Sequence, residues 1–199
     1  MIARRGDESL VVPMGKTLKV LNQMVADGIV GQYAIGGAVS ALNYIEPTVT
    51  EHIDVLISFS QVPASDLVTL GPIVGYLATK GYTTWEKEGL VIEGWPVQFL
   101  PVADSLDLEA IEQAEAIEDV FGTDGLVATR VLSAAHVVAT ALRTGRPKDF
   151  LRINAFIEEG AVDLDRLKAV ISSRGLGARW AAFCRKAGRE DPLEPVCRP

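Results

Sequence analysis

The fold of this chain is indicated most clearly by one segment, Ile35-Gly-Gly-Ala-Val-Ser-Ala-Leu-Asn-Tyr-Ile-Glu-Pro-Thr-Val-Thr-Glu-His-Ile-Asp-Val-Leu-Ile57. Residues 32–35 are a short strand candidate that runs into Gly36-Gly37, and the small residues after the pair predict a helix over 38–44. Residues 52–59 form a β-rich run flanked by loops, which predicts a central strand. The stretch therefore predicts a strand, a glycine turn, a helix and a second strand.

The glycine pair at the strand–helix turn is suited to bind phosphate. Glycine has no Cβ, so a ligand can approach the backbone closely, and free N–H groups at a helix N-terminus attract anions. His52 and Asp54 share one face of the following strand, because side chains alternate along a strand. Beside a phosphate group, two such side chains could hold Mg²⁺ against a nucleoside triphosphate. A glycine pair alone is also typical of a tight turn or of close packing.

Outward from this unit, the sequence predicts a mixed α/β protein with a helical C-terminal half. The apolar spacing predicts helices over 16–29, 65–80 (with a kink at Pro72), 106–117, 134–144, 147–158, 163–173 and 176–187, and strands over 83–87, 90–93, 95–101 and 126–132. The acidic run 109–119 is interpreted as a solvated helix face. The predicted organisation is a flexible arm (1–13), an α/β core (14–132), a helical subdomain (133–187) and an extended, poorly packed tail (188–199).

Composition limits the classes of protein to consider. The 199 residues are 48% hydrophobic and 23% charged, which is the balance of a single globular domain. The net charge of −7 provides no global basic field for nucleic acid. Cys184 and Cys197 have no candidate histidine ligands near them, so neither a zinc site nor a disulfide scaffold is predicted. With no apolar run of membrane-spanning length, we expect a cytoplasmic protein without a membrane partner.

These segments resemble the nucleotidyltransferase superfamily, in particular the branch of abortive-infection type toxins of toxin–antitoxin systems. Later segments carry the resemblance as well: Gly81-Tyr82, Gly94-Trp-Pro-Val-Gln-Phe-Leu-Pro101, His136 and Thr144-Gly-Arg-Pro-Lys-Asp149. The resemblance implies a nucleotidyltransferase-like mixed β-sheet flanked by helices. It also implies Mg²⁺-dependent transfer of a nucleoside monophosphate from a nucleoside triphosphate to an acceptor, with an antitoxin or an RNA acceptor as partner.

The resemblance further implies which residues form the site. The catalytic candidates are Asp54, His52, Lys148 and Asp149; the nucleotide-binding candidates are Gly36, Gly37, Thr50 and Gln98; and the metal ligand is Asp54.

The candidate metal site departs from the family pattern. Active members carry Asp-x-Asp where this chain has His52 and Asp54, and a further carboxylate where it has Gln98. Neutral imidazole is a poor ligand for a hard cation. A helical lysine of many members falls on Ala141, and Glu51 points away from Asp54 unless the strand is bulged. A second interpretation therefore stays open, in which the protein is a catalytically degenerate binding or regulatory module.

The candidate site residues can also be interpreted as residues with a purely structural role. Asp54 either braces a strand end or serves the site, and the depletion of Asp in strand interiors favours the site. For His52, a hydrogen-bonded structural role is favoured over catalysis. Asp149 lies in a predicted first helical turn, where it would complement the helix dipole. Three arginines predict either a phosphate-facing patch or a solvated face: Arg143, Arg146 and Arg152.

Overall fold

The computed structural model describes residues 14–46, 50–59, 69–118 and 127–194. The predicted N-terminal arm, residues 1–13, lies outside the described residues, as do residues 195–199 of the predicted tail.

The described residues form eight helices and seven strands. The helices are α1 (Gly15–Ala26), α2 (Gly37–Ala41), α3 (Gly71–Thr79), α4 (Ser105–Glu112), α5 (Ala134–Thr144), α6 (Pro147–Glu158), α7 (Leu164–Ser173) and α8 (Gly177–Ala187). The strands are β1 (Gln32–Ile35), β2 (Ile53–Ser58), β3 (Trp85–Glu86), β4 (Gly89–Ile92), β5 (Trp95–Pro101), β6 (Glu115–Glu118) and β7 (Ala128–Val131).

The strands form one mixed sheet with the order β3-β4-β5-β2-β1-β7-β6. β2 pairs antiparallel with β1 and parallel with β5, and β1 pairs parallel with β7. The register of the parallel pair puts Asp54 of β2 next to Gln98 of β5. The predicted fold class, a mixed sheet flanked by helices with a helical C-terminal half, is confirmed.

Strand alternation divides the core between the two faces of the sheet. Ile53, Val55 and Ile57 of β2 are buried in the hydrophobic cluster that contains α1 and α3. Leu56 joins the other cluster, which contains α5, α6, α7 and α8. Asp54 has the same parity as Leu56 and therefore faces the C-terminal helices.

The aromatic residues assigned to the core from sequence lie there. Trp95 is buried with α1 and α3, and Trp180 and Phe183 are buried in the helical half, where their ring centroids are 5.3 Å apart. Of the helices that the structure describes, none is long and apolar enough to span a membrane.

The predicted helix over 106–117 is wrong beyond Glu112. The chain leaves α4 there, and residues 115–118 form the edge strand β6, paired antiparallel with β7. Arg130 of β7 donates hydrogen bonds to the carbonyl oxygens of Glu112 and Ala114, at 3.3 and 3.2 Å, just after the helix ends. The acidic run 109–119 is therefore not one solvated helix face, because cross-strand pairing overrides the local helical pattern.

Two smaller expectations also fail. Pro72 does not kink a helix but lies in the first turn of α3, where its missing N–H has no intrahelical partner to lose. Residues 188–194 of the predicted extended tail fold back onto α8. Leu193 is buried there, and Trp180 Nε1 donates to Asp191 Oδ1 at 2.7 Å.

Candidate functional site

The glycine turn lies against the carboxylate of Asp54. As predicted, the pair connects a strand to a helix, and the Gly36 N–H donates to the Asp54 carbonyl oxygen at 2.8 Å. Gly37 has φ +58°, and a Cβ at this position would lie 1.9 Å from Asp54 Oδ2. Only glycine leaves room for this carboxylate and adopts this backbone conformation without strain. The following helix is shorter than predicted, at five residues, so few peptide dipoles align at its N-terminus.

His52 and Asp54 contact each other, as their spacing predicts. His52 Nε2 lies 3.2 Å from Asp54 Oδ1, and the side chain of Asp54 is 14% exposed. Burial is the largest single influence on the Asp54 pKa and would raise it. The hydrogen bond and charge of His52 and the charges of Arg146 and Lys148 outweigh burial, so the pKa is lowered and the carboxylate is ionised at neutral pH.

A second buried carboxylate, Asp149, organises the start of α6. Its side chain is 1% exposed and accepts hydrogen bonds from Arg146 Nε at 2.7 Å and from Arg152 Nη1 at 3.1 Å. It also accepts from the Arg146 backbone N–H at 3.2 Å, as a capping box does. Arg152 is 11% exposed, and burial lowers the pKa of its guanidinium. The interpretation of the arginines as a solvated face is therefore wrong for Arg152.

Two clefts meet at Asp54. The first cleft, about 350 Å³, lies between the sheet and helices α5 and α6; its polar lining includes Gly36, Gly37, Asp54, Gln98, Arg146 and Asp149. The second cleft, about 400 Å³, is lined by Thr50, Glu51, His52, Asp54, Lys148 and Arg152, among others. Every site residue predicted from sequence therefore lines one of the two clefts. Asp54 and Arg152 line both.

Thr50 and Gln98, predicted to bind nucleotide, are engaged within the protein. The Thr50 hydroxyl donates to the His52 carbonyl oxygen at 2.9 Å, which fixes the entry into β2. Gln98 Nε2 donates to Glu88 Oε2 at 3.0 Å. Glu88 is a carboxylate near the site that lies between the predicted strands 83–87 and 90–93, and nothing in the local sequence pattern places it beside β5.

Glu51 lies elsewhere than strand alternation predicts. It precedes β2, so the alternation rule does not apply to it, and it lines the second cleft with His52 and Asp54. Its carboxylate forms an ion pair with Lys87 of the β3–β4 turn.

The residues present do not fit the magnesium site that the resemblance implies. The carboxylates that line the clefts are already engaged: Asp54 contacts His52 and lies in the field of Arg146 and Lys148, Asp149 pairs with two arginines, and Asp107 lies 2.7 Å from Arg143. Within residues 14–46, 50–59, 69–118 and 127–194, no three His, Cys, Asp or Glu side chains are grouped to hold a metal ion. Mg²⁺ prefers anionic oxygens and dehydrates reluctantly, so charge-paired carboxylates are poor ligands for it.

His136, part of the sequence resemblance, lies outside both clefts. It is fully buried in α5, where its Nδ1 lies 2.8 Å from Ser133 Oγ. Its Nε2 has no hydrogen-bond partner among the described residues, and the nearest carboxylate oxygen, of Glu109, is 3.8 Å away. Burial is the main reason that the pKa of His136 is lowered from its ordinary 6.5.

We expect this depressed pKa to make folding stability fall in weak acid. The unfolded chain takes up a proton at His136 below about pH 6.5, whereas the folded chain resists protonation until lower pH. Glu109 and Glu115 favour the proton, and Arg166 and Arg174 oppose it. Between about pH 7.5 and pH 5.5 the melting temperature should fall more for the wild type than for His136→Gln. An equal fall in both proteins would contradict this account.

Comparison with known proteins gave structural similarity only. No family model and no curated protein matches the chain. The fold is similar to the solution structure of the antibiotic-resistance factor ANT(2'')-Ia, with 14% sequence identity over 86% of this chain and 97% of that chain, at a TM-score of 0.44. A crystal structure of ANT(2'')-Ia in complex with adenylyl-2''-tobramycin matches with 13% identity over 86% and 98% of the two chains, at a TM-score of 0.38.

Proposed function

We propose that the protein is nucleotidyltransferase-like: it binds a nucleoside triphosphate at Asp54 and transfers a nucleoside monophosphate to an acceptor. The observation that carries the proposal is the convergence of three parts on one carboxylate. The Gly37 turn touches Asp54, His52 contacts it, and the basic start of α6 lines the same clefts. The first cleft, about 350 Å³, falls within the usual range for small-molecule sites.

The lining of the first cleft suits a nucleotide. Leu56, Leu100 and Leu132 supply apolar surface on which a base can pack. Arg146 lines this cleft together with Asp54, Lys148 lines the second cleft with the same carboxylate, and the charges of both act on Asp54. Positive side chains aimed at the phosphates stabilise the charge that develops during phosphoryl transfer. A toxin-like role, with an RNA acceptor or an antitoxin as partner, is proposed on the sequence resemblance alone.

A second candidate function is a catalytically degenerate binding or regulatory module. The observation that favours it is the contact of His52 Nε2 with Asp54 Oδ1, together with the neutral Gln98 beside Asp54 in the sheet. Such a module would bind the nucleotide in the same cleft but would not transfer it.

Labelling by the wild type separates the two candidates, and replacing Asp54 with asparagine tests whether the transfer occurs at this site. We expect the wild type, incubated with Mg²⁺, total RNA and each α-labelled nucleoside triphosphate, to label an acceptor, and Asp54→Asn to do so about 100-fold more slowly. The matched control is Asp165→Asn, an exposed carboxylate in the first turn of α7, which should retain full labelling.

Nucleotide binding is measured in parallel by calorimetry. Binding without labelling by the wild type supports the second candidate. Labelling that survives Asp54→Asn would mean that the transfer does not occur at this site.

A further inference from the structure

The charges around Asp54 balance before any ligand binds. Among the described residues, four carboxylates line the two clefts (Glu51, Asp54, Asp107 and Asp149), and four permanent cations line them as well (Arg143, Arg146, Lys148 and Arg152). Glu51 is paired in addition with Lys87. A divalent cation would therefore have to compete with basic groups for carboxylates that are already neutralised.

The basic groups, by contrast, retain capacity for an anion. Lys148 is exposed and makes no hydrogen bond or ion pair with the part of the chain that the structure describes, although its charge acts on Asp54. Arg152 uses one of its N–H groups on Asp149, and a guanidinium has five. Arg146 uses its Nε and Nη2 on the same carboxylate.

The side chains of Arg146 and Arg152 are held in place within the protein, which further favours the binding of an anion. Asp149 is 1% exposed and holds both guanidinium groups through side-chain hydrogen bonds of 2.7 to 3.2 Å. Because the two side chains are already ordered, an incoming phosphate has less conformational entropy to remove than it would with free arginines. Asp149 is thus a positioning residue for this basic group.

We propose that the site binds the phosphates of a nucleoside triphosphate without a divalent cation, with Lys148, Arg146 and Arg152 in place of the metal. Binding of the nucleoside part rests on the proposed function, whereas binding of the phosphates does not. The same chemistry would accept inorganic tripolyphosphate, so the two sources of phosphate must be separated experimentally. Charge-assisted hydrogen bonds of this kind are short and strong in a partly buried cleft.

The test is calorimetry on the full chain with ATP and with inorganic tripolyphosphate, each in EDTA and in Mg²⁺. We expect ATP to bind in EDTA with an affinity within about threefold of that in Mg²⁺. Lys148→Gln should weaken binding of both probes about tenfold, because it removes one charge-assisted contact. The matched control Lys168→Gln, an exposed lysine on α7, should change nothing. Lys148 is exposed, so its replacement leaves the fold intact.

The outcomes distinguish this inference from the proposed function. ATP binding that requires Mg²⁺ overturns the inference and leaves the function standing. Tripolyphosphate binding in EDTA without ATP binding overturns both the inference and the nucleotide function, because the phosphates of a nucleotide are then not bound. Binding in EDTA that Lys148→Gln does not weaken overturns the assignment to this site, and absence of binding under both conditions overturns the inference and the function together.

Discussion

Gly37→Ala is expected to destabilise the protein by about 2–5 kcal/mol and to disrupt the site. The added Cβ would lie 1.9 Å from Asp54 Oδ2 and 2.8 Å from Asp54 Cγ, so the carboxylate must rotate away from the turn. The backbone at φ +58° adds strain, since residues with a Cβ rarely adopt this conformation. Urea denaturation followed by circular dichroism measures the loss of free energy of unfolding.

The neighbouring glycine is a matched control. Gly36 has an extended backbone, and a Cβ there would meet Leu132 Cδ1 at an ordinary 3.5 Å. We expect Gly36→Ala to change stability by less than about 1 kcal/mol. In an Asp54→Ala background the clash with the carboxylate disappears, and the cost of Gly37→Ala should fall to about 1–2 kcal/mol, from the backbone strain and the remaining 3.2 Å contact with the Cβ of residue 54. Equal costs of the two glycine substitutions in the wild type would refute the close contact with Asp54.

Asp149→Ala should cost about 3–5 kcal/mol, the usual effect of breaking a buried ion pair from one side. Arg152 is 11% exposed and would lose the carboxylate that accepts its hydrogen bond, although the charge of Asp54 still acts on it, whereas Arg146, at 46%, can turn into solvent. The first turn of α6 would also lose its capping interaction with the Arg146 backbone. Thermal and urea denaturation both measure the effect.

An exposed ion pair supplies the comparison for Asp149. Lys87 is 70% exposed and pairs with Glu51, so Lys87→Gln should cost less than about 1 kcal/mol, as most surface pairs do. The double variant Asp149→Ala with Arg152→Met should recover part of the loss, because it removes the stranded charge as well. A small effect of Asp149→Ala alone would show that water reaches Arg152 in solution.

Sequence patterns identify the parts of this protein whose structure depends on neighbours along the chain. The alternation of Ile53, Val55 and Ile57 with Asp54 and Leu56 places the carboxylate on one face of β2, and the structure agrees. The predicted bounds of β1 agree as well, at residues 32–35. The local pattern predicts the wrong structure where pairing between distant residues fixes the backbone. Residues 115–118 follow a helical pattern, yet they form a strand that pairs with β7.

A mixed sheet, a glycine turn and one carboxylate beside it could be predicted from local patterns, because strand alternation and glycine's backbone freedom are local properties. The surroundings of that carboxylate could not, because they depend on how distant elements pack. The docking of α6 brings Arg146 and Lys148 to Asp54, and the β3–β4 turn brings Glu88 to Gln98. Arg146 and Lys148 are about ninety residues from Asp54 in the chain, and Glu88 reaches Gln98 through the pairing of β4 with β5. Whether charges attract, repel or neutralise one another depends on distances and burial that only packing sets.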